Sequence, residues 1–252
     1  MRSKIILSTI ISIQILFNMM NCGKSIEDPD PPLRPVWVEK SILLAIDETG
    51  IRPYAEGDGI VLEWHPNSEN DLAGYKLYRA SDDIKNQFEK IADINAFTVG
   101  GADTFYIDDL INFNTDYFYY LKAYDQADNL SLPSDTLRYN LIPKVNPSLP
   151  YGAISNSQPN FEWYDFSSAT FQYVIRVETF LSREVIWISQ FTKPNYTDFL
   201  QRIAYNSDGT AKIPSLEQGT TYQWCIKAIS LVDNDNFDIG GSLSNWVYFS
   251  IE

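Results

Sequence analysis

Side chains that commonly act as nucleophiles, general bases or metal ligands are scarce in this chain. Its 252 residues include one histidine, His65, and two cysteines, Cys22 and Cys225. A Ser-His-Asp or Cys-His site needs a histidine beside its nucleophile, and structural zinc sites are built from several His or Cys ligands. His65 lies between Trp64 and Pro66, which predicts a structural or solvated residue at a strand end. The sequence therefore predicts no catalytic residue, no metal site and no cofactor, and we expect a protein that is not an enzyme.

Carboxylates are abundant, with 33 Asp and Glu residues, and paired carboxylates are the chemistry of glycosidases. Glu63 and Glu162 occupy the same position in two similar segments, which favours a solvated sheet face over a catalytic pair. The acidic run Asp233–Asp238 suits Ca²⁺, but it lacks the Gly and Glu that an EF-hand loop needs at its sixth and twelfth positions. An Asn- and Asp-rich hairpin loop is expected there, with weak Ca²⁺ binding as the alternative. Gly240-Gly241 is predicted to be an isolated pair in a turn rather than part of a phosphate loop.

The N-terminus has the organisation of a targeting segment. Arg2 and Lys4 precede an apolar run of 13 residues, Ile5–Phe17, which is shorter than the roughly 20 residues of a spanning helix. Met19-Met20-Asn21-Cys22 follows this run, and the arrangement resembles a bacterial lipoprotein signal peptide. The resemblance implies that residues 1–21 are removed and that Cys22 becomes the acylated first residue. An ordinary secretory signal and an uncleaved apolar anchor are the alternatives.

A proline-rich acidic segment comes next. Residues 23–35 contain four prolines and three acids, which cannot build a core and predict an extended tether over 22–35. The formal charge of the chain is −14, and it becomes −16 without residues 1–21, which carry two basic residues and no acid. Such a charge argues against a nucleic-acid partner and predicts repulsion from anionic headgroups. We therefore expect a body held off the membrane.

The rest of the chain repeats itself. Ordered matches at a nearly constant offset, with Trp64 and Trp163 lying 99 residues apart, predict two copies of one domain, 36–143 and 144–252. The matched segments are Ile60–Trp64 with Pro159–Trp163, Tyr75–Tyr78 with Tyr173–Arg176, and Thr115–Ala123 with Thr220–Ala228.

Each copy consists of short segments in which apolar residues alternate, separated by turn residues, as in β-strands. The first copy is predicted to contain strands near 36–46, 59–65, 73–80, 88–94, 103–109, 116–125 and 134–142. Short strands at this spacing are typical of a β-sandwich, so the predicted fold class is all-β.

The same residues resemble fibronectin type III domains. That family places a core tryptophan on its second strand, matched by Trp64 and Trp163, and a Leu-x-x-Gly-x-x-Tyr tyrosine corner before its sixth strand. Leu216–Tyr222 fits the corner, while Ile111 and Asn114 take the Leu and Gly positions of the first copy. The resemblance covers about residues 36–252 and implies two tandem immunoglobulin-like sandwiches after the tether.

One outward face of the first copy is rich in aromatic and basic residues. Alternation on two neighbouring strands directs this set, here called the aromatic platform, away from the core: Lys76, Tyr78, Phe118, Tyr120, Lys122 and Tyr124. Exposed aromatic patches often mark contacts with a sugar ring or a partner protein, so this is the candidate binding site. The alternative is that these residues are simply good strand formers, or that the second domain packs on them.

Cys225 is predicted to lie on a strand whose inward residues include Trp224 and Ile226. It should therefore point away from the core, partly covered by the neighbouring strands. With Cys22 acylated it has no partner in the chain, which predicts a free and slowly reactive thiol. An intermolecular disulfide is the alternative.

Together these features predict a lipoprotein of the bacterial cell envelope, anchored to the membrane through Cys22 and placed at the outer membrane. We expect recognition or scaffolding through contacts with an envelope protein or a glycan. One alternative is a carbohydrate-binding accessory lipoprotein of an outer-membrane uptake system. A hydrolase built on the sandwich is the less favoured alternative, since only the abundance of acids supports it.

Overall fold

The computed structural model describes residues 30–45, 48–82, 87–96 and 104–252. The signal peptide, Cys22 and the tether as far as residue 29 lie outside the described residues. The described part is all-β, with seventeen strands, and none of its residues form a helix long and apolar enough to cross a membrane.

The strands fall into two groups along the chain. The first group comprises β1 (Val36–Trp37), β2 (Arg52–Pro53), β3 (Ile60–His65), β4 (Leu72–Ser81), β5 (Glu89–Asn95), β6 (Phe105–Asp108), β7 (Asp116–Asp125) and β8 (Leu137–Leu141). The second group comprises β9 (Asn146–Leu149), β10 (Gly152–Ile154), β11 (Asn160–Tyr164), β12 (Gln172–Thr179), β13 (Val185–Thr192), β14 (Leu200–Ala204), β15 (Thr221–Val232), β16 (Asp238–Leu243) and β17 (Val247–Ile251). The predicted boundary between 143 and 144 falls in the link between β8 and β9.

The first group forms a two-layer sandwich. In one layer β1 and β2 pair with opposite ends of β3, and β6 pairs along β3; the other layer has the order β5-β4-β7-β8. Trp64 on β3 lies in the core between the layers, with its ring centroid 5.4 Å from that of Tyr75 on β4. The alternating residues predicted to face inward on β3, Ile60, Leu62 and Trp64, are all buried.

The second group repeats this arrangement. One layer has the order β14-β11-β9, and in the other β12 pairs with β13 and β15, while β15 pairs with β16 and β17. Trp163 on β11 is fully buried and takes the place that Trp64 has in the first sandwich. The fold class is therefore confirmed: two immunoglobulin-like sandwiches with a fibronectin type III-like strand arrangement.

Both tyrosine corners are formed. The Tyr222 hydroxyl accepts a hydrogen bond of 2.9 Å from the Glu217 backbone N–H, and the Tyr117 hydroxyl accepts one of 2.9 Å from Asn112. Each corner contains one residue with a left-handed backbone, Gly219 at a φ of 77° and Asn114 at 59°. Asparagine tolerates this conformation better than most side chains, which explains how it replaces glycine in the first copy.

The prediction of a first strand over 36–46 is wrong for residues 38–45, the part beyond Trp37 that the structure describes. After this residue the chain leaves the sheet, and Leu43 is buried against Val174 and Ile229 of the second sandwich. The chain returns to the first sandwich at Gly50, whose φ is 70° and where an added Cβ would lie 2.8 Å from the Val38 carbonyl oxygen. The apolar pattern of this segment thus serves the junction between domains, which single-domain alternation cannot reveal.

The two sandwiches share one continuous sheet. β8 of the first pairs in parallel with β16 of the second, placing Asn140 beside Gly240 and Leu141 beside Gly241. The glycine pair expected in a turn therefore lies in a strand. An added Cβ on Gly241 would lie 2.4 Å from the Ala228 carbonyl oxygen, so only glycine permits this close approach. Residues that lie beside each other on paired strands point to the same side of a sheet. The side of the shared sheet that faces the core in the first sandwich therefore faces away from the core in the second.

The end of the predicted tether is attached to the first sandwich. Pro32 and Pro35 are buried, and Arg34 lies 2.8 Å from the Asp135 carboxylate. The Asn67 side chain donates a hydrogen bond of 2.8 Å to the Leu33 carbonyl. The chain is therefore in contact with the first sandwich from Pro32 onwards, four residues earlier than the predicted boundary of the domain at residue 36.

Candidate functional site

The structure brings all six platform residues onto one outward face. β4 and β7 pair antiparallel with Lys76 opposite Lys122 and Tyr78 opposite Tyr120, so these side chains lie on the same side of the sheet. On β7 the residues that alternate with them, Tyr117, Tyr119, Leu121 and Ala123, belong to the buried core. All six platform residues are half-buried, so this face remains partly accessible to solvent.

The platform rings pack on one another as well as facing solvent. Tyr78 and Tyr120 are stacked with centroids 4.7 Å apart and planes 15° from parallel, and Phe88 lies 4.8 Å from Tyr120. Burial raises the pKa of the Tyr120 phenol, and its neighbour Tyr78 adds to the effect. Cross-strand aromatic pairs of this kind stabilise a sheet by about 0.5–1.5 kcal/mol, so part of the aromatic content serves the fold.

Charged groups border the rings. The Lys76 ammonium lies 5.0 Å from the Tyr124 ring centroid, a cation–π contact. On the neighbouring strand β5, Lys90 and Asp93 form an ion pair, and the hydrogen bond to Asp93 raises the pKa of Lys90. Tyr124 can lie across β4 because Gly74 faces it, where an added Cβ would come within 2.8 Å of the ring. The platform thus combines ring surface with donors and acceptors suited to a sugar or a protein surface.

A second aromatic cluster occupies one end of the second sandwich. Tyr164 and Phe166 have centroids 6.3 Å apart with planes 7° from parallel, and Phe199 lies 5.2 Å from Phe166. Phe166 and Phe199 are 63% and 60% exposed, well above the platform rings. The sequence prediction missed this cluster because two of its members lie in loops, where alternation gives no direction.

An open cleft lies between the two sandwiches, and this feature was also missed. Its volume is about 530 Å³, within the range of about 300–1,000 Å³ common for small-molecule sites. One wall is the outward face of the first sandwich and the other is the outward face of the second. The first wall includes Arg52, Pro53, Tyr54, Ala55, Val61, Phe105 and Ile107, and the second includes Val174, Arg176, Arg183, Ile188, Cys225, Lys227, Leu243 and Trp246.

Cys225 lies in this second wall. It points away from the core of its own sandwich, as predicted, and it is only 3% exposed although it lines the cleft. Burial raises the pKa of the Cys225 thiol, which keeps it protonated and unreactive. It forms no disulfide within the described part of the chain.

A compact charge cluster lies at the rim of the cleft. The buried Glu178 carboxylate is 2.5 Å from the Arg176 guanidinium and 3.1 Å from that of Arg183. Both guanidinium groups also approach the Trp246 ring, at 6.0 and 5.0 Å from its centroid. Two positive groups therefore share one carboxylate beside an aromatic ring.

A second network of charged residues lies at the junction between the two sandwiches. Asp238 on β16 is fully buried; its carboxylate accepts hydrogen bonds from the Tyr139 hydroxyl at 3.0 Å and from the Lys227 ammonium at 3.1 Å. The Lys40 ammonium lies 3.4 Å from the same carboxylate, and Lys227 also donates to Glu48 at 3.1 Å. Burial lowers the pKa of Lys40 to about 8. Burial acts in the same direction on Lys227, but Glu48 and Asp238 outweigh it and raise the pKa of Lys227.

The remaining sequence candidates have structural roles. His65 is exposed at the end of β3, and the Asp233 carboxylate accepts backbone hydrogen bonds within the β15–β16 loop. Glu63 and Glu162 face outward but are half-buried and ion-paired, with Arg52 at 2.6 Å and Arg202 at 3.7 Å respectively. The described residues contain no cluster of three or more His, Cys, Asp or Glu side chains arranged to hold a metal ion.

The sequence matches no protein-family model, and the comparison with curated proteins finds no similar protein. Among solved structures, the chain is similar to the FN1–FN3 domains of chicken CNTN1. The identity is 14%, the match covers 88% of this chain and 69% of that chain, and the TM-score is 0.36. The strand pairing and the two tyrosine corners of this chain are themselves of the fibronectin type III kind.

Proposed function

We propose that this chain is a non-enzymatic binding protein of the bacterial cell envelope, anchored in the outer membrane through an acylated Cys22 and acting in recognition or scaffolding. The aromatic platform is the observation that supports this proposal best. Its rings and ammonium groups are gathered on one accessible sheet face, whereas the described residues assemble no nucleophile with a base. Sandwich domains commonly serve binding and spacing roles, so the fold is compatible with this function.

The attachment of the tether determines how the platform would be presented. Ten residues, 22–31, separate the lipidated cysteine from the first buried proline and reach about 35 Å at full extension. The first sandwich, which carries the platform, is then the domain nearer the membrane. The negative charge of the chain keeps the body away from anionic headgroups while the lipid holds it nearby.

Because they share a sheet, the two domains would meet a partner as a single unit. Flexible tandem domains lose orientational entropy when both engage a partner, whereas domains joined by strand pairing have already lost it. The buried network of Asp238 adds side-chain contacts to this joint. We propose that the platform and the second sandwich are presented to a partner in a fixed relative orientation.

Partner capture tests the platform. The full chain and its Tyr78→Ser/Tyr120→Ser variant are used to capture partners from detergent-solubilised envelope and on a glycan array. The proposal expects one partner class to be retained by the parent and lost with the variant, while the exposed control Tyr151→Phe behaves as the parent. Equal capture by parent and platform variant would remove the platform from the proposal, and turnover on a broad substrate panel would overturn the non-enzymatic role.

Membrane fractionation tests the anchor separately. Cys22→Ala should move the protein from the membrane to the soluble fraction, because stable anchoring depends on the acyl chains. A Cys225→Ala control should remain with the membrane. If the Cys22 variant fractionates like the parent, an apolar anchor replaces the lipid in the proposal.

A second candidate function is carbohydrate capture for an outer-membrane uptake system. The aromatic cluster of Tyr164, Phe166 and Phe199 favours it, because exposed aromatic rings provide apolar surface for sugar rings. Affinity electrophoresis in gels containing neutral polysaccharides tests this role. Retardation of the parent and its loss in Phe166→Ser/Phe199→Ser would support it, and unchanged mobility in every gel would contradict it.

A further inference from the structure

Two lysines of the aromatic platform lie directly opposite each other. Lys76 on β4 pairs with Lys122 on β7, so both side chains project from the same side of the sheet. Like charges at directly opposed positions destabilise a sheet. The chain contains 33 acidic and 19 basic residues, so its composition does not account for two lysines placed side by side. Their position at the centre of this face indicates an anionic group that they meet in a complex.

The acids nearest to these lysines do not compensate them. Asp93 lies beside Lys76 on the neighbouring strand β5, but its carboxylate is paired with Lys90. Asp116 is on the same strand as Lys122, six residues earlier, which places it about 20 Å away along β7. Among the residues that the structure describes, neither platform lysine forms an ion pair. An anion could therefore approach both ammonium groups without displacing a carboxylate of these strands.

A phenol ring lies beside the lysine pair. Tyr124 reaches across β4 above Gly74, where an added Cβ would come within 2.8 Å of both the ring and its hydroxyl oxygen. The Lys76 ammonium lies 5.0 Å from the centroid of this ring. A ring next to an ammonium group offers a sugar both apolar surface for its C–H groups and a positive charge for an acid group.

The neighbouring row of the platform supplies further polar groups. Tyr78 and Tyr120, two residues along from the lysine pair on each strand, are stacked with centroids 4.7 Å apart. Tyrosine hydroxyls both donate and accept hydrogen bonds, as the hydroxyl groups of a sugar do. The face thus combines ring surface, hydroxyl groups and two ammonium groups.

The size of the platform favours a polysaccharide over a protein as its ligand. The platform and its neighbouring strand β5 span three strands, about 10 Å across, and Phe118 to Tyr124 extends about 20 Å along β7. The resulting area is roughly 200 Å², whereas each partner contributes about 800 Å² to a standard protein interface. A short run of sugar residues fits the smaller area.

We propose that the aromatic platform binds an anionic polysaccharide, with a carboxylate or sulfate group held between Lys76 and Lys122 and a sugar ring packed on Tyr124. This inference rests on the recognition role proposed above for the platform and names its ligand. Charge-assisted hydrogen bonds from the two ammonium groups fix the acid group. At physiological ionic strength, charges more than about 8 Å away are largely screened, so the acidic remainder of the chain does not prevent this contact.

Binding of the purified full chain to polymers immobilised on a biosensor tests the ligand. Dextran and dextran sulfate differ only in the anion, polygalacturonate carries carboxylates in place of sulfates, and polyglutamate carries carboxylates without sugar. We expect dextran sulfate, polygalacturonate or both to bind at least about tenfold more tightly than dextran and polyglutamate, and added salt to weaken this binding. Equal affinity for dextran, equal affinity for polyglutamate, or no binding to either anionic polysaccharide would overturn the proposal.

Paired variants locate the binding. Lys76→Gln/Lys122→Gln should weaken binding of the anionic polysaccharide about tenfold or more, whereas Lys76→Arg/Lys122→Arg should retain it. Arg202→Gln/Lys212→Gln removes the same charge from exposed positions of the second sandwich and should bind like the parent. An equal loss in this control would show that only the overall charge matters and would contradict the site.

The recognition role and its anionic ligand fail in different ways. A neutral glycan or a protein that is captured by the parent and lost with Tyr78→Ser/Tyr120→Ser would support the recognition role and overturn the anionic ligand. A partner that is retained by both this variant and Lys76→Gln/Lys122→Gln would overturn both proposals for the platform.

Discussion

The Tyr139 hydroxyl of the first sandwich donates a hydrogen bond of 3.0 Å to the Asp238 carboxylate of the second, and both residues are fully buried. The bond lies beside the parallel pairing of β8 with β16, so backbone and side-chain contacts join the domains at the same place. Burial and the nearby Asp238 charge raise the pKa of Tyr139 well above its usual value, so the phenol stays protonated and able to donate. The contact between the two domains is therefore an integral part of the fold.

Asp238→Asn should be the most damaging single change at the junction. Among the described residues it leaves the buried cations of Lys40 and Lys227 with only Glu48 to compensate them, which typically costs about 3–5 kcal/mol. Tyr139→Phe should cost about 1 kcal/mol, because Asp238 keeps both lysines. Urea unfolding followed by tryptophan fluorescence measures both, with exposed Asp235→Asn as the control. A loss below about 1 kcal/mol for Asp238→Asn would show that the network does not hold the domains together.

The stability of the protein should rise with pH through the titration of Lys40. Its pKa is about 8 in the folded chain against 10.5 for an unperturbed lysine. Between these pH values the unfolded chain binds more protons than the folded chain, so stability rises with pH. The stability gained when Lys40 loses its proton is therefore complete above pH 10.5 and is lost as the pH falls through about 8.

Comparison with Lys40→Met isolates this effect from the tyrosines that titrate at high pH. The free energy of unfolding of the parent minus that of the variant should rise by about 1 kcal/mol per pH unit across this window. Urea unfolding at a series of pH values provides the measurement. A flat or falling difference would mean that Lys40 titrates normally.

The tyrosine corners should contribute to stability separately in each domain. Tyr222→Phe removes the acceptor for the Glu217 N–H, and Tyr117→Phe removes the acceptor for the Asn112 N–H. Each change should lower the free energy of unfolding by about 1 kcal/mol. Thermal and urea unfolding measure the loss, with Tyr151→Phe, at 72% exposure, as the neutral control. Corner variants as stable as this control would show that water replaces the phenol hydroxyl as hydrogen-bond acceptor with no loss of stability.

Cys225 should be almost inert towards thiol reagents in the folded protein. Burial restricts access and raises the pKa of the thiol, so little thiolate is present. In a Cys22→Ser background, Cys225 is the only thiol, and its reaction with Ellman's reagent should be at least about 100-fold slower folded than in urea. Rapid modification of the folded protein would show that the groups covering the Cys225 thiol move aside readily.

The predictions that depended on local pattern were largely accurate. Alternation placed the inward residues of β3 and β7 correctly, and the repeat around Trp64 and Trp163 corresponds to two similar strand arrangements, each with its own core. These features follow from each strand burying one face against its own domain, which is visible in a few neighbouring residues. The outward direction of the platform side chains follows from the same reasoning, and the structure adds the stacking of Tyr78 on Tyr120.

The errors lie where one domain meets the other. Residues 38–46 have the apolar content of a strand, yet Leu43 is buried against the second sandwich. Asp238 looked like one acid among several in a loop, but it starts β16 and bonds to Tyr139, which lies 99 residues away. The residues around Asp238 and around Tyr139 give no indication of this contact, because it depends on how strands from two different domains align.

The sequence by itself determined the number of domains, their all-β class, the core tryptophans, the tyrosine corners and the composition of the platform. Each of these depends on residues within one repeat, where spacing and polarity specify which face is buried. Only the tertiary structure decided the shared sheet, the burial of Cys225 and the cleft with its paired arginines. These depend on the register of β8 against β16, and that register arises from packing between domains rather than from the pattern of either strand.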